Sequence, residues 1–153
     1  MPPILVSACL LGMLTRYDGA SRRDERVLAF LEREQLIPAP VCPEQLAGLP
    51  TPREACCFAS GDGDNILDGT GRLVRRSDGC LMNQTFLKGA VETMKAARLA
   101  GCRQALLKER SPSCGVHRIY QGEALRPGRG VTTALLIRNG LQVFSEEDLE
   151  PRT

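Results

Sequence analysis

Short apolar runs of strand length, set between stretches of helical spacing, leave this chain few ways to fold. "PILVSACLLG" begins at Pro3 and reaches Cys9, and "LIPAPVC" ends at Cys42, with Pro38, Pro40 and Pro43 forbidding a helix interior. "RQALLKE" is a third strand and leads into a turn that holds Cys114, while "LQVFS" is a last one. Between them, Ser21 to Gln35 reads as a helix, with Ser21 as N-cap, acids at Asp24 and Glu25, and Val27, Leu28, Leu31 and Glu34 at helical spacing. Asn83 to Ala100 is the clearest helix: Phe86, Ala90, Met94 and Ala97 form a stripe with Val91 beside it, and Gly101 is its C-cap. "VTTALLIRNG" is a final helix closed by Gly140. Residues 47–64 read as loop, Asp68-Gly69 as the turn of a hairpin, and Gln121-Gly122 as another turn. Strands alternating with helices predict one α/β domain over residues 1–153, with a mainly parallel sheet flanked by helices.

Charge and hydropathy narrow the function classes. A net charge of +2 with no Lys/Arg block argues against a large nucleic-acid partner. No run of some 18 apolar residues is present to span a membrane. The apolar stretch at the N-terminus reaches Gly12 too soon for a signal peptide, so a cytoplasmic protein is expected. In that reducing compartment seven cysteines, an odd number, point to metal binding, catalysis or plain burial rather than to a disulfide framework.

Cys9, Cys42 and Cys114 each follow a predicted strand, and each is soon followed by a residue that bends the chain: Gly12, Pro43 and Gly115. Ligands of open α/β sheets bind outside the carboxyl ends of the strands, so three thiols distant in sequence would meet in one crevice. Structural zinc wants four ligands, usually as C-x-x-C pairs, and no such pair occurs here. Catalytic zinc on three cysteines, or an iron–sulfur cluster with one iron left open as a Lewis acid, both remain compatible with the spacing. Adjacent Cys56 and Cys57 would point to opposite faces of an extended backbone, and Cys80 and Cys102 read as packing or incidental thiols. His117, the sole histidine, has no orienting carboxylate nearby in the sequence and reads as structural.

Several blocks in one order then carry a resemblance: "VSACLLG", "RYDG", "PVCPEQLAGLPTPRE", "GDG", "LLKERSPSCG", "GVTTALL", "NG" and "VFSEEDL", from Leu5 to Leu149. Together they resemble the thiouracil desulfidase family, formerly a domain of unknown function. The resemblance implies a Rossmann-like domain with a [4Fe-4S] cluster on three cysteines, here Cys9, Cys42 and Cys114, and a fourth iron without a protein ligand. It implies a hydrolytic, non-redox reaction in which a thiocarbonyl of a thiolated pyrimidine becomes a carbonyl and sulfur leaves as sulfide. Met13-Leu14-Thr15 and "EACC" depart from the family pattern and bear on substrate preference more than on the cluster.

On that footing Glu44 is the expected base for the attacking water, its carboxyl tuned by desolvation, and Ser111 the expected hydrogen-bond donor to substrate. Ser113 is a second donor; Arg16, Tyr17 and Asp18 are candidates to close over a polar ring. The expected partners are a thiolated pyrimidine base, nucleoside or nucleotide and the iron–sulfur assembly machinery. A zinc- or thiol-dependent hydrolase, and a non-catalytic cluster or nucleotide-binding sensor, are the alternative readings of the same crevice.

Overall fold

The computed structural model describes residues 1–149. In chain order its elements are β1 (Pro3–Ser7), α1 (Glu25–Arg33), β2 (Ile37–Val41), α2 (Pro43–Leu46), β3 (Cys56–Ser60), α3 (Gly63–Asp68) and β4 (Arg72–Arg75). There follow α4 (Asn83–Ala100), β5 (Gln104–Leu107), β6 (Arg118–Gln121), β7 (Ala124–Pro127), α5 (Val131–Arg138) and β8 (Gln142–Ser145). Four strands form a parallel sheet in the order β2-β1-β5-β8, as the alternating pattern predicts.

Strand β1 lies inside that sheet and is buried on both faces, which is why its sequence is an unbroken apolar run. Leu5 packs with Met94, Ala97 and Leu136 of α4 and α5, while Ile4 and Val6 pack with Val27 and Leu31 of α1. The prolines of β2 are explained by its place at the edge. Ile37 N–H donates toward the β1 side, to the Pro2 carbonyl at 2.9 Å. Strand alternation then turns positions 38 and 40 outward, where no donor is needed.

Helix α4 has the predicted limits, with Gly101 (φ 75°) as C-cap. Its stripe of Phe86, Ala90, Met94 and Ala97 is buried, whereas Val91 faces solvent. Helix α1 starts later than Ser21. Backbone bonds from Arg22 to the Cys9 carbonyl and from Asp24 to the Leu10 carbonyl hold residues 22–24 extended against the turn after β1. Asp24 therefore takes the cap, accepting from Arg26 N–H at 2.9 Å.

A second, mixed sheet, β4-β3-β6-β7, falls where loop and hairpin are expected. "CCFAS" is β3, and the Asp68-Gly69 turn is instead the end of helix α3, with Gly69 at φ 77°. Asp62 and Asn65 form a capping box that starts α3 and outweighs the turn residues at its end. The turn at Gln121-Gly122 does join a hairpin, β6 to β7. Phe58, Ile66, Leu73, Phe86, Ile119 and Val131 are the core beneath this sheet. No helix among the described residues is long and apolar enough to cross a membrane.

Helix α4 also braces the loop after β2. A Cβ placed on Gly89 would stand 2.4 Å from the Pro43 carbonyl oxygen. Alanine is the better helix former by about 1 kcal/mol, but the overlap with backbone dominates. Gly89→Ala is expected to destabilise the protein by about 1–3 kcal/mol, measured by urea unfolding; a gain in stability would show that this helix is not pressed on the Pro43 turn.

Candidate active site

Adjacent parallel strands bring the three cysteine-bearing segments to one end of the sheet. Cys9 lies in a 3-10 turn directly after β1, closed by Gly12 in a left-handed conformation (φ 99°). Cys42 is the N-cap residue of α2, and Pro43 occupies the first helical position, where its missing N–H is harmless. Cys114 is farther from its strand: residues 108–113 separate it from the end of β5.

The Ser111–Gly115 turn is therefore built by its own contacts. Ser111 Oγ accepts from the N–H groups of Ser113 and Cys114, both at 3.1 Å. Gly115 N–H donates to the Ser111 carbonyl at 2.9 Å, and Thr133 Oγ1 donates to the Cys114 carbonyl at 2.9 Å. The Ser113 carbonyl accepts from Thr132 and Thr133 N–H at the start of α5. Gly130 is required there, since a Cβ would meet that carbonyl oxygen at 2.4 Å.

Cys9, Cys42 and Cys114 line one cavity of about 610 Å³, together with Glu44 and Ser111. It opens between the carboxyl ends of the parallel sheet and the second sheet, which contributes Cys56, Arg76 and Tyr120. Arg16 and Tyr17 are in the lining too, with the Arg16 guanidinium 5.4 Å from the Tyr17 ring. Six cations (Arg16, Arg22, Arg53, Arg76, Lys108, Arg110) face three carboxylates (Glu44, Glu109, Glu123), so the wall is formally basic.

Cys9 and Cys114 are buried enough to resist ionisation. Burial pushes Cys9 up to about 11, with Lys108 pulling it back and Cys42 adding to the rise. Burial likewise raises Cys114 well above its ordinary 9.0; a hydrogen bond with Ser7 opposes this, and Glu44, Cys42 and Cys9 reinforce it. These mutual fields put the three sulfurs in one electrostatic neighbourhood. The donor set is all sulfur and suits iron–sulfur ligation, for coordination removes the thiol protons that burial retains. Among the described residues, no three His, Cys, Asp or Glu side chains are grouped closely enough to hold a single metal ion.

Glu44 is nearly covered, its side chain 14% exposed. Burial raises its pKa, against the opposing Arg53 charge and hydrogen bonds from Arg53 and Ser113. Arg53 escaped sequence reasoning, because it sits in a Pro-rich loop without periodicity. Its guanidinium stands 3.4 Å from Glu44, and its Nη1 donates to Thr51 Oγ1 at 3.0 Å and the Pro50 carbonyl at 3.3 Å. Its backbone N–H reaches the Tyr17 carbonyl at 2.7 Å, which docks the "RYDG" loop on the site.

Other polar groups around the site act as supports. Lys108 Nζ pairs with Glu146 at 3.0 Å rather than with the Glu109 carboxylate. Glu109 is 1% exposed, and its Oε1 accepts backbone N–H groups from Val116 (2.7 Å), His117 (2.8 Å) and Arg118 (3.1 Å). His117 turns outward to Asp148 at 2.9 Å, a partner 31 residues away. Cys56 shares the cavity and feels Glu44, while its thiol, pushed up to about 12 mainly by burial, lies 3.9 Å from the Glu54 carbonyl.

A Rossmann-like α/β frame thus brings three thiols, a desolvated carboxylate and a serine to one cavity at the ends of its parallel strands. The chain belongs to the 2-thiouracil desulfurase family, which it matches over residues 4–148. It is similar to a solved [4Fe-4S]-dependent thiouracil desulfidase, TudS, at 40% identity and a TM-score of 0.82, covering 97% of this chain and 93% of that one. It is also 38% identical over 149 residues to the uncharacterized protein YbbK of Bacillus subtilis (strain 168), covering 95% of this chain and 97% of that protein.

Burial pulls the Glu109 carboxyl upward, but the N–H groups of His117, Arg118 and Val116, with the Ser145 hydroxyl, outweigh it and hold the group below the ordinary 4.5. A lowered carboxyl pKa stabilises the fold above its unfolded value, and that stability fades as pH falls through the folded value. Glu109→Gln should therefore cost about 1–3 kcal/mol at neutral pH, with the gap to wild type closing below pH 4.5. Urea titrations across the acid range read this out; an equal gap at pH 7 and pH 3 would exclude the charge as its source.

Proposed function

We propose that this chain is a [4Fe-4S]-dependent desulfidase that hydrolyses a thiolated pyrimidine: C=S and water become C=O and hydrogen sulfide. The observation that carries the reading is the convergence of three buried or half-buried thiols on one cavity beside a desolvated glutamate, in a chain similar to TudS over nearly its whole length. Cys9, Cys42 and Cys114 would hold the cluster, loaded by iron–sulfur assembly machinery. When bound, it supplies an iron lacking a protein ligand, a Lewis acid suited to a soft thiocarbonyl sulfur. The seven cysteines are all free thiols, as a cytoplasmic setting requires.

Glu44 takes the proton of the attacking water. Its raised pKa suits this, since burial makes the protonated form less costly than for an exposed carboxylate. Ser111 acts as donor: its two acceptor positions are filled by the N–H groups of Ser113 and Cys114, which leaves its own proton to give to the substrate. Arg16 and Tyr17 form the wall on which a pyrimidine ring packs. Arg22 and Arg76, cavity cations outside the ion pairs among the described residues, favour a ring bearing an anionic substituent, as in a nucleotide, over the free base.

Anaerobically reconstituted protein should contain about four iron and four acid-labile sulfide per chain, lost in Cys114→Ala. Glu44→Gln should keep the cluster and lose turnover by about 10²–10⁴-fold. Stoichiometric zinc in place of iron, or wild-type turnover in Glu44→Gln, would overturn the assignment. The KM for a thiouracil nucleotide should lie below that for the free base, and the difference should shrink as salt is raised; equal KM values would remove the anionic-substrate reading.

A further inference from the structure

The guanidinium of Arg53 is buried, with its side chain 5% exposed, and it touches both halves of the site. Its Nη2 donates to the Thr15 carbonyl at 2.9 Å and stands 3.8 Å from Cys42 Sγ, while its Nε faces Glu44 Oε1 at 3.4 Å. As a thiol, Cys42 has its own use for Thr15: Sγ lies 3.7 Å from that carbonyl and donates to it. A metal-bound sulfur carries no proton and can only accept. The Thr15 carbonyl then offers it nothing, and Arg53 Nη2, already at the corner between the two, is the N–H in place.

We propose that Arg53 is a positioning residue whose planar fork gives one N–H to the metal-bound sulfur of Cys42 and another to the Glu44 carboxylate, fixing ligand and base in one frame. The proposal rests on the cluster reading above. Lysine cannot reproduce it, because an ammonium is a point charge and lacks the rigid, divergent donors of a guanidinium. Hydrogen bonds and positive charge at a cluster's sulfurs favour its reduced state, so the reduction potential reports the contact even though the reaction is not redox.

The test compares wild type, Arg53→Met and Arg53→Lys after anaerobic reconstitution, by iron and sulfide content, cluster midpoint potential, and kcat and KM. Arg53→Met is expected to show a more negative potential and a kcat lowered about 10- to 100-fold. Arg53→Lys should recover the potential, through its charge, without recovering kcat. A folded Arg53→Met protein that no longer takes up iron would also support the contact, since Cys42 would have lost its donor. A full cluster with the wild-type potential in Arg53→Met overturns the proposal. Should that variant not fold, wild-type kcat in Arg53→Lys overturns it instead. Wild-type protein without iron would defeat the cluster reading rather than the role of Arg53, so the two failures are distinguishable.

Discussion

Parallel pairing of β1 with β2 on one side and β5 on the other is the constraint from which the site follows. A parallel sheet sends its carboxyl ends the same way, and β1 can pair twice only if apolar side chains cover both its faces. Ile4, Leu5 and Val6 satisfy that condition, packing alternately toward α1 and toward α4 and α5. Once the three strands are aligned, the segments leaving them have little room to diverge. Cys9 and Cys42 are delivered almost directly by strand ends. Cys114 needs the additional turn docked on α5.

A sheet edge alone would leave those segments mobile, and buried polar groups hold them. Glu109 gathers the backbone of residues 116–118, and Ser111 gathers that of 113 and 114. Arg53 joins the "RYDG" loop to the loop around Cys42. Each is a single side chain answering several backbone groups, in bonds that are largely buried or part-buried. Hydrogen bonds of this kind are expensive to break one at a time, because every orphaned group then lacks a solvent to turn to. The cavity wall is thus held by a few polar side chains that each collect several backbone groups, rather than by bulk.

The parallel half of the fold was legible because its strands and helices have the right period and the right punctuation. The meeting of Cys9, Cys42 and Cys114 in one cavity was legible for the same reason, through position relative to strand ends. What could not be read depends on distant partners. Strand β3 meets β6 at one register pair, Phe58 with Gln121, and its other neighbour β4 lies beyond a short helix. The Asp62–Asn65 capping box could have revealed that helix, yet Asp68-Gly69 looked like a hairpin turn. Arg53 takes its meaning from Thr15, 38 residues earlier. The orienting acid of His117 likewise comes from the far end of the described chain, at Asp148.

The protonated state of the buried thiols has a consequence for how the cavity meets oxidants. Oxidation proceeds through the thiolate, and burial keeps Cys9 and Cys114 from forming one near neutral pH. Four sulfurs sharing a cavity would otherwise be prone to couple into disulfides. Here burial holds Cys9, Cys56 and Cys114 protonated, while the solvent-exposed thiol of Cys80 lies outside the cavity lining. Oxidation of that surface thiol does not by itself touch the sulfurs of the cavity.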